Sequence, residues 1–126
     1  MFQLVKEFRF EAAHTLNRAI DAEGSRRIHG HSYRAEVVIG GRADPATGMV
    51  MDLGLFEGAL ASARDGLDHR FLDDVEGLGP ATLENLALWI WRQLAGRCTA
   101  ALVRVTVHRD SSGEACSYFG GMEGEP

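Results

Sequence analysis

The N-terminal part of the chain alternates between apolar and polar side chains, which is the pattern of β-strands. Within residues 3–13 every second side chain falls on one side of such a strand, and His14 continues that side. Residues 15–28 show no period, and strand character returns in residues 29–42. The pattern therefore predicts two strands that are joined by a long loop.

The middle of the chain carries two helical patterns. Apolar residues recur at spacings of three and four within residues 53–65 and again within residues 83–94. Asp52 and Thr82 stand immediately before these segments, and both residue types cap helix N-termini. Gly96 is suited to close the second helix. We expect two amphipathic helices, preceded by a short strand at residues 49–51.

The C-terminal part returns to strand patterns. Residues 101–109 alternate, and residues 116–119 can form a last strand. Because strands and helices are segregated along the chain, the order predicts an α+β fold: a four-stranded antiparallel sheet with two helices on one face (ββααββ). Residues 1–120 would form this single domain, and residues 121–126 a flexible, glycine-rich tail. The two open edges of such a sheet favour association between copies of the chain.

Composition mainly excludes functions. The chain has 126 residues, 45% of them hydrophobic and 25% charged, as expected for one domain with its own core. The net charge of −5 at pH 7 gives no general attraction to nucleic acid or to a membrane surface. No segment approaches the roughly 20 apolar residues of a membrane span or resembles a secretion signal. Two cysteines, Cys98 and Cys116, make no disulfide framework, so we expect a cytoplasmic protein.

Three of the five histidines are candidates for a shared site. His29 and His31 are separated by one glycine, so on a strand both rings lie on the same face. His14 ends the preceding strand, and a hairpin would bring all three rings together. Three neutral imidazoles leave a fourth position open, which is the pattern of catalytic zinc, although copper, nickel and iron also accept imidazole. The alternative, separate surface or core histidines, stays open at this point.

Two other polar groups are candidates for chemistry. Asp68 precedes His69 and could hold its ring by a hydrogen bond, which would make His69 a general base. Arg26 and Arg27 precede the histidine pair and could meet a phosphate. For each group the alternative is a solvated pair in a loop.

Five segments of the chain form a pattern of motifs in a fixed order. The segments are F-x-F-x-A-A-H (8–14), HGHSY (29–33), DPATGMVMDLG (44–54), LDHRFL (67–72) and PATLENLALWIW (80–91). In order and spacing they resemble the 6-pyruvoyltetrahydropterin synthase and 6-carboxytetrahydropterin synthase family, and the resemblance extends from about Phe2 to Tyr118. It implies the tunnelling fold, in which three subunits close a barrel of sheets and two trimers stack into a hexamer.

The resemblance also implies chemistry. It implies a Zn²⁺ ion on the three histidines and a pterin substrate, 7,8-dihydroneopterin triphosphate, in tetrahydrobiopterin or queuosine biosynthesis. Asp68 and His69 match the Asp–His pair that moves protons in the family. Thr82, Glu84 and Asn85 match the segment that lies near the pterin pocket.

Two positions depart from the family pattern. Ser25 stands four residues before His29, where the family has a cysteine, and a serine hydroxyl is much less acidic than a thiol. Arg109 stands close to the place of the glutamate that holds the pterin ring, and arginine offers donors only. Asp110 or Glu114 could accept from the ring instead. We therefore expect weak standard activity or a different substrate.

Three functions remain open on the sequence. The first is a zinc-dependent pterin lyase in which His69 transfers protons and Ser25 contacts the substrate. The second is a diverged relative that uses the same zinc site on another bicyclic or hydroxylated molecule. The third is a non-catalytic module that binds a pterin-like or purine-like ligand. Asp68 and His69 favour catalysis, whereas Ser25 and Arg109 favour divergence.

Overall fold

A computed structural model describes residues 1–121 of the chain. Apart from Gly121, the tail expected at 121–126 lies outside these described residues. The strands are Phe2–His14 (β1), His29–Gly41 (β2), Arg70–Phe71 (β3), Ala101–Arg109 (β4) and Glu114–Tyr118 (β5). The helices are Ala22–Arg26 (α1), Leu53–Asp65 (α2) and Leu83–Ala95 (α3), with one 3₁₀ turn at Leu72–Asp74.

The strands form one sheet in the order β3-β1-β2-β4-β5. The four longer strands pair antiparallel, which confirms the predicted α+β class and the predicted sequence of two strands, two long helices and two strands. The prediction of a purely antiparallel four-stranded sheet needs correction, because β3 adds a fifth strand parallel to β1. β3 has two residues and lies between the buried anchors Leu67 and Leu72, so no period could reveal it.

Three boundaries differ from the prediction. The prediction of a strand at residues 49–51 is wrong, because that segment bends ahead of α2 and buries Met51 in the core. The predicted loop after β1 contains the five-residue helix α1. β5 begins at Glu114 instead of Cys116, because the turn before it is tight: Gly113 takes a φ of 81° and donates to the Arg109 carbonyl at 2.9 Å.

Both long helices begin at the predicted caps. The Asp52 carboxylate accepts from the amides of Gly54 and Leu55 at 2.8 and 3.2 Å. The Thr82 hydroxyl accepts from the Asn85 amide at 3.1 Å. These bonds satisfy amides that have no partner inside the helix. The Thr82 bond fixes where α3 starts, immediately after Ala81, whose carbonyl contacts the His14 ring.

The core lies between the sheet and the two long helices. Directly opposed residues of antiparallel strands share a face, and the register opposes Phe10 to Tyr33 and Ala35 to Val107. The rings of Phe10 and Tyr33 stack with their centroids 4.8 Å apart. This helix-facing side continues past the core to His14 at the end of β1. The functional groups of the site therefore stand where the buried apolar face ends.

The opposite face of the sheet is polar. Arg34 makes two hydrogen bonds of 2.9 and 3.0 Å to Asp110 and one of 3.2 Å to Glu7. Arg104 pairs with Glu36 at 3.0 Å. Since β3 pairs with only two residues of β1, most of the outer edge of β1 stays open, as does the outer edge of β5 within the described chain. Among the described residues no helix combines the length and the apolar character of a membrane span.

Candidate metal centre and its cavity

Strand pairing brings His14, His29 and His31 together. The register opposes His14 to His29, and His31 follows two residues later on the same face. The three ring centroids are 4.5, 4.9 and 5.0 Å apart, and one nitrogen from each ring lies within 4.8 Å of the others. The predicted convergence of the three rings is confirmed. These residues are called the histidine triad below.

Backbone carbonyls orient two of the three rings. His14 Nδ1 lies 2.9 Å from the Ala81 carbonyl oxygen, and His29 Nδ1 lies 2.7 Å from the Arg27 carbonyl oxygen. A carbonyl oxygen only accepts, so each Nδ1 carries the proton and donates it. The Nε2 atoms of both rings then keep their lone pairs. Metal-ligating histidines are usually held in this way.

The spacing and charge state of the triad also suit a cation. His31 Nε2 lies 3.1 Å from His14 Nε2, and two nitrogens on one tetrahedral zinc ion lie roughly 3.4 Å apart. Burial lowers the pKa of His14, and burial followed by the charge of Arg109 lowers the pKa of His31 to about 4. Both rings are therefore neutral near pH 7 and can donate lone pairs. The residues fit zinc or another imidazole-binding divalent ion.

The triad opens into a cavity of about 590 Å³, within the usual range of small-molecule sites. Of the other predicted site residues, Ser25, Thr82 and Arg109 line this cavity. Glu84, Glu114 and Tyr33 line it as well. The sequence argument did not single out Tyr33, although strand alternation from His31 puts it on the same face. We call this space the triad cavity.

Ser25 holds the loop that forms one wall of the triad cavity. Its hydroxyl accepts from the Arg18 amide at 3.1 Å and donates to the Ala22 carbonyl at 3.0 Å. Its own carbonyl accepts from the Leu16 amide at 2.7 Å, and the residue is 4% exposed. Among the hydrogen bonds of the described residues, none connects this hydroxyl to a base. Its geometry is that of an anchored loop residue at the cavity wall.

Asp68 and His69 form the predicted contact but lie outside the triad cavity. His69 Nδ1 is 2.9 Å from the Asp68 carboxylate, which also accepts from the Glu11 amide at 2.9 Å and contacts Arg64 at 2.9 Å. The hydrogen bonds from Glu11 and His69 lower the pKa of Asp68. The His69 side chain is 78% exposed and borders a second depression, which shares only His31 with the triad cavity.

Two predicted substrate contacts are not brought to the triad cavity. Asp110 follows Arg109 in the turn after β4 and is bound by Arg34 on the polar face of the sheet. Arg27 is exposed and pairs with Glu23 at 2.9 Å, one turn earlier in α1. Asp110 lies on the polar face because side chains alternate along a strand, so Asp110 and its neighbour Arg109 face opposite sides.

Arg109 reaches the triad from the neighbouring strand. Its Nη1 lies 3.4 Å from His31 Nε2, and its Nη2 makes a 2.8 Å bond to Glu114. The register opposes Arg109 to Glu114, so both side chains face the triad cavity. Thr82 lies at the same cavity, with its hydroxyl used as the cap of α3. A carboxylate that can accept from a ligand is thus present at Glu114, on β5.

The family follows from a match along almost the whole chain. The sequence model described as 6-pyruvoyl tetrahydropterin synthase matches residues 3–121. The chain belongs to this family. It is 37% identical over 125 residues to the 6-carboxy-5,6,7,8-tetrahydropterin synthase of Synechocystis, with 94% of each chain covered.

Two further comparisons agree with this family membership. The human 6-pyruvoyl tetrahydrobiopterin synthase is 43% identical over 70 residues, which span 52% of this chain and 48% of that protein. The structure of Caenorhabditis elegans 6-pyruvoyl tetrahydropterin synthase superposes with a TM-score of 0.83 at 27% identity. It covers 95% of this chain and 96% of that one. The fold is therefore that of a pterin synthase.

Proposed function

We propose that this chain is a zinc-dependent pterin lyase that acts on 7,8-dihydroneopterin triphosphate or a related pterin. The observation that carries the proposal is the histidine triad: two of its rings have Nδ1 fixed by backbone carbonyls, and it opens into a cavity of about 590 Å³. The relatives named as pterin synthases support the substrate class. A diverged substrate stays the second candidate, favoured by Ser25 and Arg109.

The residues of the triad cavity have distinct roles in this proposal. His14, His29 and His31 would hold the Zn²⁺ ion, which as a Lewis acid would bind hydroxyl groups of the substrate and make the neighbouring protons easier to remove. Glu84 and Glu114 line the same cavity and offer carboxylates to the N–H groups of a pterin ring.

Proton transfer is assigned to His69. Its ring is exposed and held through Nδ1 by Asp68, which leaves Nε2 free to accept a proton. Because His69 lies outside the triad cavity within one chain, the role requires a second copy of the chain to bring it there. The open edges of β1 and β5 are suited to such a homo-oligomer, a trimer or a hexamer.

A single incubation tests the proposal. Zinc-loaded protein is mixed with 7,8-dihydroneopterin triphosphate, and mass spectrometry reads the products. We expect a pterin with a shortened or dephosphorylated side chain, and its mass tells which groups have left. Unchanged substrate in the presence of stoichiometric zinc would contradict the proposed reaction.

A Ser25→Cys variant in the same assay separates the two candidates. The thiol is more acidic than the hydroxyl, so a gain in turnover means that the rest of the site already fits a pterin. If turnover does not rise although the variant keeps its wild-type zinc content, the result favours a substrate other than the standard pterin. Ser25→Ala serves as the matched control for loss of the loop hydrogen bonds.

A further inference from the structure

We propose that Arg109 and Tyr33 form an oxyanion-binding subsite beside the histidine triad, which selects substrates that carry a carboxylate or a comparable oxyanion. The inference rests on the proposed function only in so far as the substrate is a pterin. The subsite itself is argued from the donors that these two residues leave without a partner. We call it the oxyanion subsite.

Arg109 is held in place but not saturated. Its side chain is 21% exposed, and Glu114 binds Nη2 at 2.8 Å. Its Nε is buried and has no hydrogen-bond partner among the described residues. A guanidinium has five N–H donors, and a buried donor without a partner costs free energy. One ligand oxygen or carboxylate at this position would remove that cost.

Tyr33 supplies a second unused donor. The residue is 3% exposed, lines the triad cavity and has its ring 5.7 Å from that of His31. Its hydroxyl is buried without a hydrogen-bond partner in the described part of the chain. A phenol hydroxyl carries one O–H donor, so it can donate to a ligand oxygen in the triad cavity. Buried hydroxyls normally have a partner, and here a ligand can provide it.

The positive charge expected around the triad favours the binding of an anion. A divalent ion on the histidines and the guanidinium of Arg109 would be like charges close together, since Nη1 lies 3.4 Å from His31 Nε2. Glu114 offsets part of this charge through its bond to Arg109. Asp21 and Glu84 also line the cavity, but both are exposed to solvent. An oxyanion next to Arg109 would offset the rest of the charge.

The residue type at this wall of the cavity points the same way. Arginine offers donors only. Next to Arg109, a ligand group that donates is therefore disfavoured, and one that accepts is favoured.

Nuclear magnetic resonance of the arginine side chains tests the subsite without relying on turnover. Acetate and acetamide, which have the same shape but differ in charge, are titrated into ¹⁵N-labelled protein with and without Zn²⁺. The Arg109 Nε–H signal is assigned by its absence in Arg109→Lys. We expect acetate to shift this signal saturably, more strongly with zinc, and acetamide to leave it in place.

Variants sharpen this titration. Tyr33→Phe removes one neutral donor and should weaken acetate about three- to tenfold. Arg18 also lines the triad cavity but is exposed to solvent, so Arg18→Gln, which removes another positive charge, is the matched control and should change little. The subsite is refuted if acetate leaves the Arg109 signal unmoved, or if acetamide shifts it equally.

A pair of fluorescent pterins connects the subsite to the substrate. Zinc-loaded protein should bind 6-carboxypterin more tightly than 6-hydroxymethylpterin, and Arg109→Gln should weaken the carboxylate about 10- to 100-fold and the alcohol hardly at all. Equal loss for both pterins refutes the selection. If neither pterin binds while acetate still shifts the Arg109 signal, the pterin part of the proposed function fails and the oxyanion subsite stands.

Discussion

At the scale of single residues, the chemistry of the site depends on which histidine nitrogens are free. The carbonyls of Ala81 and Arg27 accept hydrogen bonds from the Nδ1–H groups of His14 and His29. Both acceptors belong to the backbone, so the ring orientations follow from the positions of two chain segments and not from side chains that can rotate. His31 differs, because its ring contacts Arg109 instead. The triad therefore has two rings of fixed orientation and a third, His31, that lies beside the guanidinium of Arg109.

We expect His69 to contribute to turnover and not to metal binding. Its ring is held by Asp68 outside the triad cavity, so His69→Ala should keep the bound zinc and lower turnover by about 10² to 10⁴. Steady-state assays and metal analysis of the same sample measure both effects. Asp68→Asn, which keeps a hydrogen bond but loses the charge, should lie between the variant and wild type. Unchanged turnover in His69→Ala would remove it as the proton-transfer group.

Asp110 is expected to stabilise the fold in a pH-dependent way. The hydrogen bond from Arg34 holds the pKa of Asp110 below the ordinary value of about 3.9. The stabilisation is therefore complete above that value and is lost as the pH falls through the pKa of the folded state.

Melting temperatures of Asp110→Asn and wild type measure this effect. Asp110→Asn should melt below wild type at neutral pH, and the difference should disappear in acid. Glu76→Gln, a change at an exposed carboxylate, provides the control. A difference that is independent of pH would mean that the ion pair is not its cause.

At the scale of elements, the N-terminus of α3 connects stability to the site. Thr82 caps the helix, and the preceding residue, Ala81, orients His14. Thr82→Ala should cost about 1 kcal/mol in the free energy of unfolding and weaken zinc binding, because the start of the helix loosens. Denaturant unfolding and zinc titration measure the two effects.

Two further variants control this prediction. Thr82→Ser keeps the hydroxyl and should resemble wild type in both measurements. Thr99→Ala, a change at an exposed position after α3, should alter stability by less than about 0.5 kcal/mol. Equal stability of Thr82→Ala and wild type would show that the cap does not hold this helix end.

The long elements could be predicted because their patterns repeat over many residues. The helix Leu53–Asp65 and the strand Ala101–Arg109 have the bounds that the sequence indicated. Short elements could not be predicted in this way. β3 has two residues, and α1 has five residues, with its N-cap Asp21 at a φ of 57°. Hydrogen bonds to the preceding loop, such as those that join Ser25 to Arg18 and Leu16, hold α1 in place and leave no periodic signal.

The same distinction between repeating patterns and local geometry applies to the candidate site. The histidine triad could be predicted, because alternation on two adjacent strands fixes the shared face. The pairing of Arg109 with Glu114 could not, since it depends on the length of the turn before β5 and on the resulting register. The sequence alone does not show the length of this turn, and it therefore left Asp110 as a candidate for the site. A shift of one residue at a strand end decides which side chain faces the cavity.

At the scale of the whole molecule, a single chain has open sheet edges and keeps His69 apart from the histidine triad. His69 lies outside the triad cavity, and the outer edges of β1 and β5 have no strand partner in most of their described length. We expect light scattering to give three or six times the mass of the chain.

Mixing two inactive variants tests whether the copies share a site. Under the proposed function His31→Ala removes a metal ligand and His69→Ala removes the proton-transfer group, so each variant alone should have strongly reduced turnover. If the two residues act together from different copies, co-refolded mixtures should regain part of the wild-type turnover. A monomer in solution, or a mixture without regained activity, would contradict the shared site.

If His14, His29 and His31 together hold one catalytic metal ion, each of the three is needed for metal binding, and the metal content of single variants shows whether this is so. Wild type and each single alanine variant of the triad are loaded with Zn²⁺ and dialysed. Elemental mass spectrometry then measures the zinc that stays bound to each protein. His108→Ala, a histidine on the polar face of the sheet, is the matched control. We predict one zinc ion per chain in wild type and in His108→Ala, and its loss in all three triad variants. Full zinc content in any triad variant, or no zinc in wild type, would contradict the account.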